Sequence, residues 1–346
     1  MIIFGAGASF GSDPGPYPPP AVDRPPLAKD LFEQSYRRFA ESYPACRPAI
    51  HHLRRALAVE SPPLIEEEIG RMYEAAAGNA ERQQHLLALR FYLSDLIDTT
   101  AQQWWEALNG FTNYGRLLDR IGLWRYEKDQ PVALATFNYD QMLDHAATDQ
   151  ALNWQVTGFS SYVDRPDWRL YRLHGSTRWA HVVKTHVVGS QNRPNDVIRS
   201  AWSVDFDGQG EMRPVAWPDA VEENEVAVAV PGIAMPTNRK QTFACPPEHV
   251  RKFAADIGNV DRLLLIGWRA AEPHALALLE QHVRNGYNLG ICDVNAEDAE
   301  VVQSNLGAVA KKARPDRLQW FTGGFEALTF GSELNEWLSQ DSYDDT

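Results

Sequence analysis

Apolar residues along this 346-residue chain fall into two kinds of run. Short unbroken runs, Met1 to Phe4, Pro131 to Phe137 (PVALATF), Arg262 to Ile266, Leu289 to Val294 and Leu318 to Phe321, have the length and composition of buried strands. Trp168 to Leu173 (WRLYRL) alternates as a half-buried strand does. Elsewhere the apolar positions recur at helical spacing, as in Leu31, Phe32, Tyr36 and Phe39, and in Leu86, Leu89, Phe91, Leu93, Leu96 and Ile97. From Leu27 to about Leu123 strand signal is almost lacking, and the stretch reads as about four helices. One of these starts at Pro62 and Pro63, and its first turn carries Glu66, Glu67 and Glu68, the charge that suits a helix amino end.

The last third has the clearest rhythm. A helix from about Pro247 to Ile257 leads into the strand at 262–266, followed by a helix over Pro273–Val283 and the strand at 289–294. A helix over Ala296–Leu306, the strand at 318–321 and a final helix from Phe325 complete the series. Strands alternating with amphipathic helices imply parallel pairing, with both sheet faces covered. The expected fold is α/β, a Rossmann-like, mostly parallel sheet with helices on both faces and a helical layer (27–123) inserted after the first strand. Residues 1–340 are taken as one domain. Within it, 14–26 is a proline-rich extended loop, and 181–240 is an irregular insertion whose short strand candidate is Val226–Val230. So long an irregular stretch is more often functional than idle. Residues 341–346 read as an acidic solvated tail.

Composition narrows the function classes. With 44% hydrophobic and 23% charged residues, the chain can bury a sizeable core. Its 33 Lys plus Arg against 46 Asp plus Glu give a formal charge of −13, poorly suited to gripping a phosphate backbone, so no direct nucleic-acid binding is expected. No apolar run approaches the roughly 20 residues of a membrane span, and MIIFGAGAS lacks the basic start of a secretory signal. Cys46, Cys245 and Cys292 are far apart and form no CxxC pair, which argues against a zinc ribbon or a disulfide framework and for a reducing cytoplasm.

Polar clusters follow the strands. Gly5 to Gly11 (GAGASFG) follows the first, and its glycines allow close backbone approach to a phosphate or simply a tight turn. Its GxGxxxG spacing is not the dehydrogenase GxGxxG. Thr136 to Asp140 (TFNYD) follows the second: Asn138 and Asp140 either face a ligand or turn the chain and cap the next helix. Leu173 to Ser176 (LHGS) presents His174, a general base or a satisfied structural histidine. Gly267 to Arg269 (GWR) and Asp293 to Asn295 (DVN) end two later strands. Open parallel sheets gather ligands at such strand ends. A serine hydrolase built on Ser9 or Ser176 with His174 lacks the GxSxG elbow, and His51 and His52 lack partners at metal-ligand spacing.

In this order, GAGAS, TFNYD, LHGS, GWR and DVN resemble the sirtuin-like NAD-binding domain. More narrowly they are similar to the bacterial branch that hydrolyses NAD in anti-phage defence, as are Leu64–Ile69 (LIEEEI) and Pro231–Lys240 (PGIAMPTNRK). The likeness spans Gly5 to about Leu328. It departs from the deacylases, which carry a four-cysteine zinc module and an arginine-containing loop after GAGIS, where this chain has GSDPGPYPPP. The resemblance implies that Gly5, Ala6, Gly7, Ala8 and Ser9 cradle the pyrophosphate, with Thr136 also on the cofactor side. It places Asn138 and Asp140 at the nicotinamide ribose, His174 as the catalytic histidine, and Gly267, Trp268 and Asn295 toward adenosine, with Glu67 added to the helical wall. It further implies NAD as substrate without a metal, and an NADase restrained by oligomerisation or by a separate activating protein, an ATPase or an Argonaute-like partner. A protein deacylase and a non-catalytic NAD or ADP-ribose module are the competing functions.

Overall fold

The computed structural model describes residues 1–15, 21–59, 63–152, 154–184, 194–199, 211–215, 227–237 and 243–340. Among the described residues there are nine strands: β1 (Ile2–Phe4), β2 (Val132–Thr136), β3 (Trp168–Arg172), β4 (Gly175–Lys184), β5 (Glu211–Pro214), β6 (Ala227–Ile233), β7 (Arg262–Ile266), β8 (Tyr287–Cys292) and β9 (Ala313–Phe321). They build two sheets, one ordered β3-β2-β1-β7-β8-β9 and the other β5-β4-β6. The chain divides into two compact units, 1–25 with 101–174 and 245–346, and 26–100 with 175–244.

The first unit holds the six-stranded sheet, and every pairing in it is parallel. All three residues of β1 and all six of β8 are buried. Since successive side chains point to opposite faces, both faces are covered, which explains why these strands read as unbroken apolar runs. Taken within this sheet, the six strands follow the order 3-2-1-4-5-6, the doubly wound arrangement whose direction reverses at β1. The Rossmann-like α/β expectation therefore describes this sheet and its helices.

The element bounds differ from the sequence expectation in ways that packing explains. β8 starts at Tyr287 and ends at Cys292, so Asp293 and Val294 lie beyond it. β9 extends back to Ala313 through Arg314, Asp316 and Arg317, charges that only an edge strand tolerates. The helix Pro273–His282 stops before Val283, and the last helical region is two helices, Gly324–Phe330 and Glu333–Leu338. The helix Asn113–Lys128, which starts inside the 27–123 stretch read as an inserted layer and runs past its end, belongs to the first unit.

The second unit contains the helices Arg47–Leu57 and Ile65–Ala76 and the small antiparallel sheet. Glu66, Glu67 and Glu68 do occupy the first turn of the latter helix. Within 181–240, the described residues include the end of β4 and all of β5 and β6. The β6 strand contains most of the Val226–Val230 candidate, although Val226 itself, like the 341–346 tail, lies outside the described residues. Among the described residues no helix is long and apolar enough to cross a membrane.

One close approach fixes the turn after β1. Gly5 donates to the Ile266 carbonyl at 3.0 Å and Gly7 to the Gly267 carbonyl at 3.1 Å, so the turns after β1 and β7 lie backbone against backbone. A Cβ on Gly267 would sit 2.4 Å from the Ala8 nitrogen, and Gly267 has φ +58°, a left-handed conformation that side chains disfavour. The Gly267→Ala variant is expected to lose about 2 kcal/mol or more of folding stability in urea titration. An unchanged unfolding midpoint would contradict this packing.

Candidate active site

Parallel register carries the strand ends to one line. Arg172 pairs with Thr136, Thr136 with Phe4, Phe4 with Ile266, Ile266 with Cys292 and Cys292 with Phe321. The residues just beyond this row are Leu173–His174, Phe137–Asp140, Gly5–Ser9, Gly267–Trp268 and Asp293–Asn295. Four of the five polar motifs thus meet over the central strands, around the point where strand order reverses. Asn295 lies out to one side, past β8.

Behind the turn after β1 sits a buried polar network. Ser9 follows Gly5 on a short helix (Ala6–Phe10) that directs its hydroxyl inward, where it donates to Asp140 Oδ2 at 2.8 Å and lies 2.9 Å from the Tyr114 hydroxyl. The Asn138 amide donates to the Gly5 carbonyl at 2.9 Å, to Ser9 Oγ at 3.0 Å and to Tyr114 Oη at 3.3 Å. Thr136 accepts from the Asn138 backbone N–H through its hydroxyl at 3.0 Å. Asp140 also accepts from the Met142 backbone N–H at 3.0 Å, so it caps the following chain as well as meeting the network. Burial raises the Asp140 carboxyl above its ordinary range, against the opposing pull of Met142, Ser9 and Arg172. Burial likewise raises the Tyr114 phenol, which Asp140 reinforces.

In front of this network lies an aromatic cluster. Phe137 and Trp268 leave β2 and β7 on either side of β1 and stack at 4.8 Å with an interplanar angle of 14°. Only glycine at position 5 allows this, because a Cβ there would lie 2.6 Å from Trp268 Cα. The indole N–H of Trp268 donates to Glu272 at 2.7 Å, which fixes its rotation. His174 meets the edge of Phe137 at 4.7 Å, with Tyr139 at 6.3 Å and His274 at 5.8 Å. Asn138 is 7% exposed, His174 4%, Phe137 6% and Trp268 3%, so all four side chains are packed inside the protein.

The sequence-derived candidates therefore divide three ways. Ser9, Asn138 and Asp140 share one hydrogen-bonded network, and His174 and Trp268 share the aromatic cluster through Phe137. The backbone donors of Gly5, Gly7 and Ala8 are engaged by the carbonyls of Ile266, Gly267 and Gly5, while Ala6 is exposed. Asn295 caps the helix Ala296–Leu306 by accepting from the Asp298 N–H at 2.8 Å and is itself exposed. Glu67, in the second unit, pairs with Arg71 at 3.7 Å. His52 of the alternative metal reading pairs with Glu68. Among the described residues no group of three or more His, Cys, Asp or Glu could hold a metal ion. All three cysteines are buried, and burial pushes the Cys46 and Cys245 thiols up to about 12.

Solved structures similar to this chain include a Sir2 homologue in complex with NAD, at 10% identity and a TM-score of 0.39, covering 98% of this chain and 90% of that one. Sir2Tm bound to a propionylated peptide matches at 13% identity and a TM-score of 0.36 over 98% and 93% of the two chains. Sir2 with the inhibitor EX-527, 2'-O-acetyl-ADP-ribose and a deacetylated p53 peptide matches at 11% identity and a TM-score of 0.35 over 98% and 94%. No protein-family model matches the chain, and no curated protein matches it. The overlaps are loose, and the fold is defined by the chain's own strand order.

Several residues of the site carry no sequence signature. Tyr114 lies in a helix remote from the motifs, and Glu272 and His274 stand just after GWR at the start of the next helix, where nothing local distinguishes them. Arg172 had a visible sign, a charge that shares the face of Trp168 and Leu170 in the alternating run WRLYRL.

The raised Asp140 carboxyl has a pH consequence. A carboxyl whose native pKa exceeds its unfolded value adds stability below the unfolded pKa and loses it as pH rises through the native one. The parent's unfolding free energy should thus fall with pH, from about pH 4 upward, more steeply than that of Asp140→Asn. Parallel curves in urea titrations from pH 4 to 8 would contradict the assignment.

Proposed function

We propose that this chain is an NAD⁺ glycohydrolase that cleaves NAD⁺ to nicotinamide and ADP-ribose. The observation that carries the proposal is the convergence of His174, the Asn138 network and the turn after β1 at the strand ends where a doubly wound sheet reverses direction. Dinucleotides bind at that place in such sheets. The ordered motifs GAGAS, TFNYD, LHGS, GWR and DVN add the resemblance to sirtuin-like NADases.

The chemistry suits these residues. Breaking the bond between ribose C1′ and the pyridinium nitrogen sends the bonding pair to nitrogen, and nicotinamide leaves as a neutral molecule that needs no acid. The sugar passes through an oxocarbenium-like centre, which placed dipoles stabilise. Water then adds to C1′ while His174 takes its proton, a role typically worth roughly 10²–10⁴-fold. Asn138, anchored to Gly5, Ser9 and Tyr114, sets the ribose or the attacking water. Phe137 and Trp268 are stacked and buried at this edge, so entry of the nicotinamide end requires that pair to part.

Protein deacylation is the less favoured function, because three cysteines cannot supply the four-cysteine zinc module of those enzymes. A non-catalytic NAD or ADP-ribose module draws support from the internal bonding of Asn138 and the turn amides, which would then need no rearrangement. The biological role that fits the resemblance is a cytoplasmic effector that depletes NAD during anti-phage defence. Its restraint would lie in homo-oligomerisation or in an ATPase or Argonaute-like partner.

Incubating the purified protein with NAD⁺ and separating products by chromatography should yield equal amounts of nicotinamide and ADP-ribose. His174→Ala and Asn138→Ala should each lower the rate by roughly 10²-fold or more while remaining folded. Turnover at the parent rate in either variant would remove that residue from the mechanism. Tight binding without turnover would favour the non-catalytic module.

A further inference from the structure

We infer that Arg172 is the positioning residue that sets the catalytic carboxamide and imidazole against each other, an inference that rests on the glycohydrolase reading. Arg172 ends β3, and its side chain is fully buried. Burying a guanidinium is costly unless its donors are engaged, and in Arg172 both terminal nitrogens are, while Nε has no partner among the described residues. Here the partners are unusual. Nη2 donates to the carbonyl oxygens of three successive residues, Asn138 at 3.2 Å, Tyr139 at 2.9 Å and Asp140, and Nη1 pairs with Asp144. Asp144 is itself held by the Tyr162 hydroxyl at 2.9 Å.

Three consecutive carbonyls converging on one nitrogen curl the chain around it. The turn after β2 therefore presents its backbone oxygens to Arg172, while the Asn138 amide and the Asp140 carboxyl both reach Ser9 Oγ. The backbone of Arg172 does the complementary task. It pairs with Thr136 in the sheet, the next residue, Leu173, donates to the Thr136 carbonyl at 3.0 Å, and His174 follows. One residue thus carries the imidazole on its main chain and holds the carboxamide's turn with its side chain. Lysine cannot replace it, because a single ammonium has no planar fork to span a carboxylate and a row of carbonyls.

A mere structural staple would lower stability and leave the folded enzyme's turnover unchanged. The test uses Arg172→Lys in the full chain, with hydrogen exchange and steady-state kinetics measured together. Amides across 137–142 should exchange about tenfold faster with the remaining sheet unchanged, and kcat should fall about 30–100-fold with KM within threefold, as expected for a small misplacement of catalytic groups. Parent-like exchange in 137–142 overturns the inference whether or not NAD⁺ is cleaved. Faster local exchange with an unchanged kcat overturns it too. If the parent chain cleaves no NAD⁺, the glycohydrolase reading fails, while the exchange measurement still decides whether Arg172 holds the turn. Should Arg172→Lys fail to fold, Tyr162→Phe, which keeps the ion pair and loses one bond to Asp144, should shift exchange and kcat in the same directions by a smaller factor. Parent-like values of both in that variant overturn the inference.

Discussion

Phe4 has a strand hydrogen-bonded on each side, β2 and β7, and both run parallel to β1 in a register that ends the three strands at the same level. Everything at the candidate site follows from that alignment. A shift of one residue in either pairing would turn Phe137 or Trp268 to the other face of the sheet, since side chains alternate along a strand. The contact between Gly5 and Gly267 depends on the same level ends, and it leaves room for two aromatic rings to cross above β1. Glycine at 5, 7 and 267 is thus required by the protein's own packing before any ligand is considered.

The polar network behind this edge is the counterpart of that apolar packing. Asn138 and Asp140 come from the turn after β2 and Ser9 and Tyr114 from helices, and all four are buried. Buried polar groups that satisfy one another are rigid, and a rigid carboxamide is what the proposed hydrolysis asks of Asn138. The same burial raises the Asp140 carboxyl, which fits a hydrogen-bonded organiser better than an exposed negative charge beside the sugar. His174, among aromatic rings and close to His274, sits in a different environment, so the two proposed catalytic groups are tuned by separate surroundings.

Much of the sheet was legible in the sequence because its strands are covered on both faces and its helices are amphipathic. VALAT, RLLLI and YNLGIC announce themselves as apolar runs, and the helix Pro247–Ile257 coincides with its sequence bounds. The clusters after those strands were visible for the same reason, since polar residues directly after a buried strand stand out. The small sheet was legible only in β6, whose start lies in the Val226–Val230 candidate. β4 pairs with β5 and β6 across some thirty to fifty residues, and only those partners make its Trp179–Lys184 run a strand. Nor could the sequence reveal that the phenol of Tyr114 reaches Ser9, or that Arg172 turns back on the motif before it, because both contacts exist only once the chain is folded.

The proposed glycohydrolase must take its dinucleotide at the carboxyl edge of the sheet. At the opposite edge, the amino ends of β1, β2 and β7 border a cleft lined by Trp124, Arg169, Asp256 and Arg262. A crystal structure of the His174→Ala variant soaked with NAD⁺ would choose between them. The account predicts the pyrophosphate beside the turns after β1 and β7 and the nicotinamide ribose between Asn138 and position 174, with Phe137 and Trp268 parted. A dinucleotide lodged in the Arg169–Arg262 cleft, or bound anywhere with that aromatic pair still closed, would contradict it.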